Sequence, residues 1–242
     1  MKPSALFATL AVVAFLISSL PSAAAVRPYV RVGWGANQLR LTDLDASIQT
    51  GEEFFRSFNL PADFKGVGNG YGPQFAAGLR LLPALRVGAT YSFVRATREN
   101  SFETAHVLFE DIIVARSREV GAEAEFRFAA LRGVGIGGEV AQSRVQYDEY
   151  YGLDDNGYPY QEASVGSRTL TTYGAYLSYE QTNANGVAGF VRVGFRHRPV
   201  GRITLNNVDS DGVYFDAYSS QSLWMDYSGL YMTMGTGFDF GH

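Results

Sequence analysis

Charged side chains recur at even spacings along this chain, and they are its main chemical resource. Glu119, Glu123, Glu125 and Arg127 share one stretch. Arg31, Arg80, Arg86, Glu139, Glu180, Arg192, Arg196 and Asp239 occupy others, each two residues from a glycine or serine. Residues two apart on a strand share a face. The pattern therefore gathers six arginines and six carboxylates on one side of a set of strands. Such groups can pair with one another or exchange partners. Away from water each needs a partner, because an unpaired charge is costly to bury.

Other chemistry is sparse. The chain has no cysteine, so disulfides and thiolate metal sites are excluded. Its net charge of -4 argues against a nucleic-acid partner. Asn207-Val208-Asp209-Ser210-Asp211-Gly212 is half of a calcium-loop pattern, but Asn207 stands first and Tyr218 stands where the bidentate glutamate belongs. A solvated acidic turn is the reading of that segment, and no metal or cofactor is expected.

The charged set implies the elements that carry it. Eight stretches alternate with a period of two: 29–37, 74–82, 85–93, 119–128, 134–141, 172–180, 191–196 and Leu230 to Phe240. In each, one face is apolar. Examples are Val30, Val32 and Trp34; Phe75, Ala77, Leu79 and Leu81; Val120, Ala122, Ala124, Phe126 and Phe128. Those apolar faces hold no Asp, Glu, Lys or Arg. The segments between them run alternately long and short: 42–71, Pro83-Ala84, 96–114, 129–132, 146–168, 181–186 and 199–222. Long outer loops and short inner turns are the habit of membrane barrels. Val107 to Ala115 is read as a possible extension of the fourth strand. Glycines such as Gly33, Gly88, Gly121, Gly137, Gly174 and Gly194 lie on the charged face. A narrow lumen requires small residues there, whereas the convex face of a soluble sandwich or lipocalin-like barrel does not.

Met1 to Ala25 has the form of an export signal: Lys2, an apolar run from Ala5 to Leu20, Pro21, and a small-residue site at Ala23-Ala24-Ala25. The expected organisation is a signal peptide at 1–25 and a barrel domain at 26–242. The last strand, LYMTMGTGFDF, resembles the C-terminal targeting strand of bacterial outer-membrane barrels, although Gly241 and His242 follow its final aromatic. With the loop pattern, this makes the chain similar to the small OmpA/OmpX/OmpW-type, porin-like outer-membrane β-barrels. The resemblance implies an all-β, eight-stranded antiparallel transmembrane barrel in the outer membrane. It further implies a monomer surrounded by lipid and lipopolysaccharide, assembled by the barrel assembly machinery through its last strand, with outer loops open to a surface partner.

Eight strands leave a lumen that side chains can fill. Two readings of the charged set follow: a polar plug, or a narrow pore whose Arg–Glu pairs swap. Three roles are weighed: a structural or surface-interaction barrel without catalysis, passage of small or apolar solutes, and a lipid A-modifying enzyme. His197-Arg198-Pro199 resembles the His-x-Ser of barrel lipid A deacylases, but proline occupies the nucleophile position, so no enzyme is expected. The aromatic segments include Phe54, Phe55, Phe58, Phe64, Tyr150, Tyr151, Tyr158, Tyr160, Tyr214, Phe215 and Tyr218. They supply interface belts, loop packing or a partner surface.

Overall fold

The alternating stretches close into a ring. The computed structural model describes residues 26–38, 42–65, 68–155, 157–204, 206–208 and 222–240. Barrel strands β1 (Arg27–Gln38), β2 (Asn69–Leu82), β3 (Leu85–Glu103), β4 (Val107–Arg127), β5 (Val134–Asp155), β6 (Tyr158–Thr182) and β7 (Val187–His197) pair in sequence, all antiparallel. The short strands β8 (Gly201–Thr204) and β10 (Ser222–Met225) form a separate ribbon, and β9 (Asn206–Val208) lies against β6. The last strand, β11 (Gly229–Asp239), pairs with β7 on one side and β1 on the other, from Tyr29↔Asp239 to Asn37↔Tyr231. That pairing shuts the barrel and leaves no free edge on its wall. Phe240 lies just past β11, yet its N–H still bonds to Pro28 O at 3.0 Å.

The wall is built inside out. Val32, Trp34, Val120, Leu177, Leu230 and Met234 are exposed, while Arg31, Arg86, Glu123 and Glu125 are buried. One apolar assignment fails. The expected partner of Leu79 on the outer face, Leu81, is buried, because the β2–β3 register shifts between Arg80 and Leu82. The extra residue turns Leu81 inward at the barrel floor.

Two of the expected long loops are strand. β3 and β4 stay paired out to Glu103↔Leu108, and β5 and β6 out to Asp155↔Tyr158. These ribbons rise past the ends of β1, β7 and β11. Along them the apolar positions change parity. On β3 the outward set Tyr91 and Phe93 gives way to inward Val94, Ala96 and Phe102. On β4 the buried inward set Phe109, Ile113 and Ala115 precedes the outward set from Val120 onward, and on β5 outward Val140 is followed by buried Val145 and Tyr147. The apolar residues face out where lipid surrounds the wall and in where water does.

The inward apolar face of the ribbons needs a cover. Helix α1 (Thr42–Ser57), in the segment expected to be loop, supplies part of it. Ile48 joins a buried cluster that includes Ile113, Val145, Tyr147, Val200, Ile203, Met225 and Tyr227, and Phe64 leans on this cluster. Phe55 packs with Ala62, Phe102 and Phe109, its ring centroid 4.8 Å from that of Phe109. The helix hangs together locally through Glu52–Arg56 and Arg56 Nε bonding to Ala62 O at 3.0 Å.

Candidate functional site

Among the described residues the densest chemistry lines the lumen, and the charged residues singled out in the sequence meet there. Near the floor, Asp239 accepts from Arg80 Nη2 at 2.5 Å and Arg86 Nη2 at 2.7 Å. Glu180 takes both Nη atoms of Arg86, at 2.7 and 2.8 Å, and Arg31 Nη2 at 2.5 Å. Arg127 Nη2 approaches Glu180 Oε1 at 3.1 Å. Glu125 accepts from Arg31 Nη1 at 2.8 Å and Arg127 Nε at 3.2 Å. Glu123 takes Arg192 in a fork, at 2.6 and 3.0 Å, and the Tyr29 hydroxyl at 3.0 Å. Fork geometry of this kind is the strong form of the Arg–carboxylate bond.

Aromatic rings insulate the pairs. Arg192 lies 4.6 Å from the Tyr176 ring centroid, and Arg31 lies 5.3 Å from that of Tyr29. Two glycines make the room. A Cβ on Gly137 would strike the Tyr176 ring, and one on Gly88 would strike the Tyr29 hydroxyl.

Higher in the lumen a second group forms. Arg196 pairs with Glu139 and lies 3.5 Å from Glu119. Glu119 also accepts from Arg198 Nε at 2.5 Å, Arg198 Nη2 at 2.8 Å and Ser92 Oγ at 2.8 Å. Arg198 is buried and was absent from the sequence-derived set. Its parity with Arg196 was the available signal. Asn37, Gln74, Thr233 and the tyrosines complete the network as uncharged partners that alternation alone does not mark. Between the two groups lies a cavity of about 20 Å³ bordered by Arg31, Gln74, Ser92, Glu119, Arg196 and Thr233. That is room for about one water.

Above the lumen the cap holds a smaller acidic pocket. Arg98 Nη2 donates to Asp111 Oδ2 at 2.5 Å, and the Tyr147 hydroxyl donates to Glu149 Oε2 at 3.0 Å. Burial pushes the Glu149 carboxyl up, the nearby Asp111 pushes it the same way, and the Tyr147 hydrogen bond opposes both. Burial also raises Asp111, against the pull of Arg98. An acid raised in the folded state binds more protons folded than unfolded, so its contribution to stability grows as pH falls through the raised value and fades as pH rises. The expected result is slower proteolysis of the cap at pH 5 than at pH 7. Glu149→Gln should slow cleavage at pH 7 and flatten the difference. Unchanged pH dependence in that variant would remove Glu149 from the account.

The structure also brings together a pair that sequence order hid. His197, outward on β7, has Nδ1 3.3 Å from Ser228 Oγ. Ser228 is buried, and its Oγ accepts the Arg198 N–H at 2.7 Å. The serine oxygen thus braces the end of β7 against the start of β11. No carboxylate backs His197 among the described residues, so the arrangement lacks the third member that orients a catalytic base. Residues 209–221, which carry most of the suspected calcium loop and Tyr214, Phe215 and Tyr218, lie outside the described residues, as do Met1 to Ala25.

An ionic interior inside a continuous apolar outer wall defines a transmembrane β-barrel of the outer-membrane type. No helix among the described residues is long and apolar enough to cross a membrane; the strands make the crossing. No protein-family model matches the chain, and no curated protein does. Among solved structures it is similar to Ail, the attachment invasion locus protein of Yersinia pestis, in complex with the heparin analogue sucrose octasulfate: 14% identity, 89% of this chain and 99% of that one, TM-score 0.44. It is also similar to a major outer membrane protein from Thermus thermophilus, at 12% identity, 88% and 99% coverage and TM-score 0.49. A third is the outer membrane protease OmpT from Escherichia coli, at 9% identity, 93% and 100% coverage and TM-score 0.44. Similarity at this level carries no activity and no ligand across.

Proposed function

We propose that the chain is a sealed barrel of the bacterial outer membrane with a structural or surface-interaction role. The observation that supports this most is the double closure of its interior. Within the membrane zone, Arg31, Arg86 and Arg192 interlock with Glu123, Glu125 and Glu180, all buried. Above it, the apolar cluster around Ile113, Val145 and Met225 fills the same axis. A solute would have to break the ion pairs and then cross a dry layer, each unfavourable. The cap meets the outside through Phe54 on α1 and Phe58 just past its end, both exposed with ring centroids 5.1 Å apart, and these suit a partner surface.

The reading includes removal of Met1 to Ala25, a single copy per barrel, and delivery of β11 to the assembly machinery. Native mass spectrometry of the extracted protein should show one chain beginning at Val26. Phe238→Ala/Phe240→Ala should lower the yield of membrane-assembled barrel; unaltered yield would dismiss that use of β11. The role itself is tested in planar bilayers. The purified full chain should give no channel events across the accessible voltage range at pH 5 or pH 7. Discrete, reproducible conductance steps would replace the sealed barrel with a pore.

A further inference from the structure

Arginines also collect on the outside of the barrel, where the lumen network does not reach. Arg95 on β3, Arg116 and Arg118 on β4, and Arg144 on β5 all occupy outward-facing positions of the alternation. Arg95, Arg118 and Arg144 are exposed. The register sets them against one another: Arg95 opposes Arg116, and Arg118 opposes Arg144. Arg116 and Arg118 share a face of β4, so the four form a continuous chain across three neighbouring strands. Like charges directly opposite on a sheet are destabilising. Two such pairs side by side ask for an anion.

The protein supplies little of one. Arg116 pairs with Asp148 at 3.1 Å, both about a third exposed. Arg95 donates to the Thr97 hydroxyl at 3.2 Å, and Arg118 lies 6.0 Å from the Phe93 ring centroid. Among the described residues no carboxylate pairs with Arg95, Arg118 or Arg144. The height of the patch identifies the missing partner. The outward apolar wall ends at this height: Phe93 lies beside Arg118 and below Arg95, Val120 lies directly below Arg118, and Val140 lies below Arg144 beyond Gln142. Inward-facing Ala96, Ala115 and Val145 mark the start of the water-surrounded ribbon at the same level. The arginines therefore stand where the acyl chains of the outer leaflet give way to head groups. Guanidinium is suited to phosphate, which it can grip with two parallel bonds.

We propose that Arg95, Arg116, Arg118 and Arg144 form a binding site for the phosphate groups of an anionic glycolipid of the surrounding leaflet. The proposal rests on the membrane reading above. It goes beyond that reading in placing a specific lipid contact on one flank of the barrel. Acyl chains would lie along Tyr91, Phe93 and Val120 while the phosphate sits among the guanidiniums.

The test is native mass spectrometry of the full barrel, folded in a non-ionic detergent and titrated with diphosphoryl lipid A, its dephosphorylated form or inorganic phosphate. Each basic group near an anionic lipid surface contributes about fivefold in affinity. Arg118→Gln/Arg144→Gln should therefore bind lipid A roughly 25-fold more weakly. Arg118→Lys/Arg144→Lys should recover part of the loss. The dephosphorylated lipid should bind the unaltered protein at least tenfold more weakly, a comparison that needs no variant. Inorganic phosphate at millimolar concentration should leave bound lipid A in place. Equal binding of both lipids, or an undiminished glutamine variant, would overturn the site. Displacement by inorganic phosphate would make it a site for free anions and overturn the lipid assignment. A gel shift between boiled and unboiled samples keeps the two readings apart: a barrel that shifts normally yet shows no lipid preference loses only this site.

Discussion

Glu180→Ala should destabilise the barrel by about 3–5 kcal/mol, the cost of breaking a buried ion pair from one side. Glu180 is the carboxylate that Arg31, Arg86 and Arg127 share. Its removal leaves Arg86 with Asp239 at 2.7 Å and Glu125 at a looser 3.7 Å. Arg31 and Arg86 are both almost fully buried, so water cannot substitute. The measurement is reversible urea unfolding in lipid vesicles. A second variant discriminates the cause. Glu180→Leu/Arg86→Met removes both ends of the fork, and replacing a buried pair by apolar groups is often near neutral. The double variant should be more stable than Glu180→Leu alone, which a simple packing defect at position 180 would not produce.

Ala122→Arg should cost about 2–4 kcal/mol, the penalty for a lipid-facing arginine near the bilayer midplane. Ala122 is outward on β4 between Ala89 and Val140, midway along the apolar wall. The same change at Ser101, outward and exposed on the ribbon above, should stay within about 0.5 kcal/mol, as for an ordinary surface site. A small effect at both positions would mean that neither touches hydrocarbon.

The barrel was legible in the sequence because one rule runs through it: uncharged side out, ionic side in. Glu123 and Arg192 could be placed on a common face without knowing that they pair. What escaped follows from breaks in that rule. At Phe93-Val94 the apolar parity reverses, so the single alternation ends there although the strand continues. The reversal is itself the mark of the membrane boundary. The register shift after Arg80 inverted Leu81 for the same reason on a smaller scale. Arg198 is in step with Arg196, but His197 and Pro199 on either side give it the local look of an incomplete catalytic motif. Helix α1 lies in a stretch where Glu52-Glu53-Phe54-Phe55 looked like polar loop; its buried side, Ile48 and Phe55, makes sense only once the ribbons above the membrane exist to be covered. The contact of Ser228 with His197 is tertiary and leaves no local trace.

The orientation of the wall is open to one direct measurement. The chain has no cysteine, so single cysteines can be introduced without background. Spin labels at Ala122→Cys and Ser101→Cys, in protein reconstituted into vesicles, report collisions with oxygen and with a water-soluble nickel chelate. The account predicts strong oxygen and weak nickel relaxation at position 122, and the reverse at position 101. Strong nickel relaxation at position 122 would put that side of β4 in water and contradict the membrane barrel.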